Sequence, residues 1–149
     1  MNTRRTSAVL FCAILSLPLL GRAGAESPKT EIKGAAILQH PCIKVAIKHM
    51  GLVHAGKMDE ATKLGTQKMQ DEWKALPAGD REMMSGMMKE ISKTEAQFAA
   101  DIKAHGLLVV EGDSGTLTVT QEHKDANGSN TSTMTQRYVI DGDKCLISR

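Results

Sequence analysis

Between residues 41 and 105 the apolar side chains recur every three or four positions, and from residue 107 onward they alternate with polar ones. The first period belongs to helices with one buried face, the second to strands of a sheet. Residues 41–55 place Ile43, Ala46, Ile47, Met50 and Val53 on one side, and Gly56 suits a C-cap. Residues 58–76 open with Asp59 and Glu60, which favour the positive end of a helix dipole. Met58, Ala61, Met69, Trp73 and Leu76 share a side of that second helix. Pro77-Ala78-Gly79 breaks it, and Asp80 is placed to cap a third helix.

The alternating part predicts strands over 107–111 and 116–123, joined through Gly112-Asp113-Ser114-Gly115. A polar loop at 125–130 leads to a strand over 131–140. Asp141-Gly142 is a hairpin signal, and 144–148 closes the chain as the last strand. Three N-terminal helices followed by a four-stranded antiparallel meander make an α+β fold, with helices over one face of the sheet. Residues 26–39, polar at first and carrying Pro28 and Gly34, read as a flexible linker, and 40–149 as a single domain. Asn127-Gly-Ser and Asn130-Thr-Ser match the glycosylation pattern, but Asn and Gly are what a turn requires there.

Residues 1–25 change the meaning of the composition. Arg4 and Arg5 precede an apolar stretch at 8–20, and Ala23-Gly24-Ala25 is a small-residue cleavage site. The apolar stretch is shorter than the ~20 residues that span a bilayer. A secretory signal cleaved before Glu26 is expected, with no membrane anchor left behind. Its loss removes Arg4, Arg5 and Arg22, so 16 of the 19 basic residues face 17 acidic ones and the formal charge of +2 becomes −1. No basic patch with interleaved aromatics remains, which excludes nucleic acid as a partner class. Cys42 and Cys145 are the only cysteines left. An even pair in an oxidising, periplasmic compartment is expected to form a disulfide.

The densest feature is REMMSGMMKE, with Met83, Met84, Met87 and Met88 inside residues 81–90. On one continuous helical wheel these four share an arc of about 140° with Ile91, Phe98 and Ile102, opposite Glu82, Lys89, Glu90 and Lys93. That is the stripe of a helix packed on a core, and methionine is the flexible filler that a core poor in aromatics needs. Soft thioethers also suit copper(I). Continuity with Ile and Phe favours packing, so no metal is assigned. Glu95 falls inside the same arc, and His54 on the apolar side of the first helix. A carboxylate buried there needs a partner or a raised pKa.

The start Pro41-Cys42-Ile43-Lys44-Val45-Ala46, the joint Ala55-Gly56-Lys57-Met58-Asp59-Glu60-Ala61, Trp73–Leu76 before the third helix and the terminal Asp141-Gly142-Asp143-Lys144 turn carry a resemblance. Over residues 40–149 the chain resembles small exported members of the nuclear transport factor two-like superfamily, whose fold is also called cystatin-like or ketosteroid-isomerase-like. The resemblance implies a strongly curved sheet wrapped around the helices as a cone with an internal cavity. Cys145 stands where such relatives often carry a tryptophan. The fold hosts enzymes, binding modules and assembly factors alike.

The reading adopted from these features is a periplasmic, non-enzymatic protein holding a small apolar ligand or a protein partner. The expected ligand residues are His54, Glu95, Met84, Met88, Phe98 and Tyr138, with no catalytic residue and no cofactor. A homodimer through the sheet is a further expectation. Two alternatives stay open. One is a small isomerase or hydrolase using Glu95 and His54, with His123, Tyr138 and Asp101 as other candidates. The other is a copper(I) protein using Met83, Met84, Met87 and Met88.

Overall fold

The computed structural model describes residues 27–125 and 128–148, with backbone alone for 123–125. The signal reading of 1–25, cleavage before Glu26 and the Asn127 sequon lie outside the described residues. The elements are β1 (Lys29–Lys33), a 3-10 helix (Gly34–Gln39), α1 (Pro41–His54), α2 (Met58–Thr62), α3 (Gln67–Ala75), α4 (Ala78–Ile91) and α5 (Glu95–His105). The chain then runs through β2 (Gly106–Glu111), β3 (Ser114–Asp125), β4 (Gly128–Asp141) and β5 (Lys144–Ser148). All strands lie in one antiparallel sheet of order β1-β2-β3-β4-β5. The α+β class is as expected, while the three helices become five and the four strands become five.

The added strand comes from the segment read as a linker. β1 pairs with β2 from Lys29↔Glu111 to Lys33↔Leu107, and only Ile32 among its residues is partly buried. An edge strand held by backbone pairing needs few apolar side chains, so its composition resembles a solvated tail. The 3-10 helix after it drives Ile37 into the core, fully buried. Residues 29–39 are therefore part of the domain.

The added helices come from two breaks. The helix expected over 58–76 divides at Leu64-Gly65-Thr66, where Gly65 forms an isolated parallel bridge with Ile147. Thr66 N–H donates to the Ile147 carbonyl at 2.9 Å, and Ile147 N–H to the Leu64 carbonyl at 3.0 Å. Satisfying the outer backbone of β5 this way outweighs helix continuity. Thr66 then caps α3 by accepting from Met69 N–H. The third predicted helix divides at Ser92-Lys93-Thr94, and Thr94 and Gln97 form a reciprocal capping box that starts α5. Asp80 sits in the first turn of α4 rather than at its cap, which is Pro77.

The two tight hairpins share one device. Glu111 pairs with Ser114 around Gly112-Asp113, and Asp141 with Lys144 around Gly142-Asp143. Gly112 and Gly142 have φ of 59° and 58°, the left-handed region that two-residue hairpins require of their first residue.

The inward face of the sheet carries Leu108, Leu117, Val119, Tyr138, Cys145 and Ile147. Against it pack Ile37, Cys42, Ile43, Ala46, Phe98 and Ile102. Cys42 and Cys145 are joined by a disulfide across 103 residues, with Cα atoms 5.0 Å apart. It ties the start of α1 to β5. No described helix is long and apolar enough to cross a membrane. Both observations are compatible with an extracytoplasmic protein.

Candidate functional site

Between α1, α4, α5, β3 and β4 lies an open cavity of about 450 Å3. Its apolar wall comes from Met50 and Val53 of α1, Met88 of α4, Phe98 of α5, Val119 of β3 and Met134 of β4. Alternation along β3 and β4 aims Val119 and Met134 inward, and the register pairs them directly. Phe98 enters one turn after the Thr94 cap, so the capping box fixes the ring's place in the wall.

Polar groups line part of the same cavity. Lys93 Nζ lies 2.5 Å from Asp101 Oδ2 and donates to Gln121 Oε1 at 3.2 Å. The ammonium thus links the α4–α5 joint, α5 and β3. His49 of α1 lines the cavity too, and its buried Nε2 has no hydrogen-bond partner among the described atoms. Burial lowers the His49 pKa from its usual value of about 6.5, because desolvation disfavours the imidazolium. The ring is therefore neutral at pH 7, and its Nε2 keeps a hydrogen-bonding capacity that no described group uses.

No known family model, curated protein or solved structure matches the chain. The site is read from its own residues.

Two of the six expected ligand residues, Met88 and Phe98, line this cavity. The other four lie elsewhere. Tyr138 is buried in the core two positions along β4 from the lining Gln136. Its hydroxyl has no partner among the described atoms, and burial pushes its pKa up. His54 is exposed, and its Nδ1 pairs with the Ser92 carbonyl at 3.2 Å, which ties the end of α1 to the end of α4. Glu95 is exposed in the first turn of α5, with its side chain across Gly51 of α1. Met84 is 36% exposed on α4. The buried-carboxylate expectation for Glu95 is thus corrected: the wheel assumed one helix, and the break at 92–94 resets the angle of every later residue. Asp101, named only for the enzyme alternative, does reach the cavity. The side chain of His123 lies outside the described atoms.

The methionine stripe is corrected for the same reason. α4 has no buried residue, and Met83, Met87 and Ile91 are 64%, 57% and 71% exposed. Once separated from α5, α4 packs on α1 without reaching the sheet core, so of its four methionines only Met88 lines the cavity, with Ile91 at its edge.

His49, Lys93, Gln121 and Met134 were missed by the sequence reading. A signal for His49 existed. Cys42, Ala46, His49 and Val53 follow a four-three-four spacing, and the other three are buried, so His49 shares their face. Lys93 carried no such signal, because its inward turn depends on the helix break.

The histidines make acid stability a test. His49 and His40 both have pKa values lowered by burial. The unfolded chain therefore binds more protons than the native one below about pH 6.5, and stability falls as pH drops through that window. His49→Gln is expected to flatten part of the fall that sets in below about pH 6.5, with His40 contributing another part. Urea unfolding of both chains across this range measures it. Parallel profiles for parent and variant would contradict a buried neutral His49.

Proposed function

We propose that the protein is a non-enzymatic binding protein of the cone-shaped nuclear transport factor two-like kind, acting after export. Its ligand is a small apolar molecule with one hydrogen-bonding end, a hydroxyl or a carbonyl. The observation that carries this reading is the cavity with an apolar wall and one unpaired, neutral imidazole nitrogen at His49. Small-molecule sites have this composition: mostly hydrophobic lining with few, placed polar groups. Lys93 and Asp101 hold each other, which fixes both side chains on the cavity wall.

Native mass spectrometry of the protein isolated from its own host tests the reading. A small apolar adduct, released on denaturation and absent from Met134→Trp, is expected. Adding 1-decanol to the empty protein should raise its unfolding free energy, by about 2.7 kcal/mol at a hundredfold excess over Kd. A bare mass combined with no stabilisation by 1-decanol would sink the proposal.

A further inference from the structure

Methionines buried in a core need no explanation beyond packing, but none on α4 is buried and three are exposed. Met83, Met84 and Met87 are 64%, 36% and 57% exposed, on a helix that contributes no buried residue. Thioethers held at the surface are accessible donors, which removes the ground on which packing was preferred over metal in the sequence. We propose that Met83, Met84 and Met87 form a surface site for a soft monovalent cation, copper(I).

Spacing supplies the geometry. Met83 and Met87 stand four residues apart, and Met84 and Met87 three apart, the two separations that bring helix side chains side by side. Each side chain has three rotatable bonds and so lets its sulfur converge on one ion without moving the backbone. Gly86 flanks the Met83–Met87 pair, and a Cβ built on it would meet nothing within 4 Å. Packing therefore does not demand a glycine in this helix interior, where it weakens the helix.

Donor chemistry supplies the selectivity. Neutral thioethers favour copper(I) and its inert analogue silver(I), while zinc, calcium and magnesium prefer imidazole or oxygen ligands. Competing thiolates are withdrawn, because Cys42 and Cys145 are buried and bridged. The site is separate from the cavity, which Met88 lines and the other three methionines do not.

The test uses the protein purified with its disulfide intact. Anaerobic titration with copper(I) against bicinchoninate should show one ion per chain. The variant M83L/M84L/M87L keeps the apolar area and the helix propensity but lacks the sulfurs. It should lose at least about tenfold in affinity while matching the parent in circular dichroism and Tm. In the parent, silver(I) should shift the methyl NMR signals of Met83, Met84 and Met87 and leave Met50 and Met134 in place. These methyl shifts decide the matter even if the triple variant does not fold. Equal affinity in parent and triple variant, no uptake against the competitor, or copper bound together with newly titratable thiols would each overturn the proposal.

Discussion

Replacing Cys42 and Cys145 with alanine is expected to cost about 4–5 kcal/mol of unfolding free energy, the chain-entropy figure for a closed loop of ~100 residues. The bridge encloses 103 residues of sequence separation, nearly all of the domain. It also acts at a junction the fold needs. Cys42 lies in the first turn of α1, where its N–H donates to His40 Nδ1 at 3.2 Å, and Cys145 lies in β5 next to that helix. Without the link, the last strand and the first helix must find each other across the longest loop in the chain. A domain of this size has about 5–15 kcal/mol in total, so the double variant is expected to be marginal at 37 °C. Denaturant unfolding of parent and variant measures the difference. Thiol counting on denatured, unreduced parent should return close to zero. Two free thiols would refute the bridge, and a loss below about 1 kcal/mol would refute its role.

Phe98→Ala should produce the next largest loss, about 3–5 kcal/mol. Phe98 is 4% exposed and is the one phenylalanine among the described residues. It packs within the cluster that holds Ile43, Ile102 and Val119, and its other side faces the cavity. The cost of a truncation depends on how far the surroundings collapse into the gap. Here they have little reason to, since the vacated space merges with a cavity already open to water. Phe98→Leu fills most of the volume and should cost distinctly less. In urea, the alanine variant should show a lower midpoint with an unchanged slope. A loss under about 1 kcal/mol would mean that the ring is not part of the core.

The α+β class, the limits of α1 and the run from β2 to β5 were legible in the chain because each depends on contacts close in sequence. The four-three spacing of α1, the alternation of β3 and the Asp-Gly turn before β5 are local devices that operate wherever the chain sits. The cysteine pairing was legible for another reason: the expected export sets Cys12 aside and leaves Cys42 and Cys145 one partner each. The Thr94-x-x-Gln97 capping box was also written locally. It was overridden by an apolar stripe that, on the wheel, ran unbroken through it.

The tertiary structure decided what no local rule contains. Lys29–Lys33 becomes a strand only because β2 presents an unpaired edge, and Gly65 interrupts a helix because Ile147 of β5 needs backbone partners. The candidate site depends on such decisions. Once α4 and α5 separate, Lys93 turns inward to Asp101, Glu95 turns out, and Met83, Met84 and Met87 face solvent. Helical periodicity specifies angles between residues of one helix, and a break of three residues resets those angles. Which side of α4 is covered was therefore set by α1, through contacts far apart in the chain.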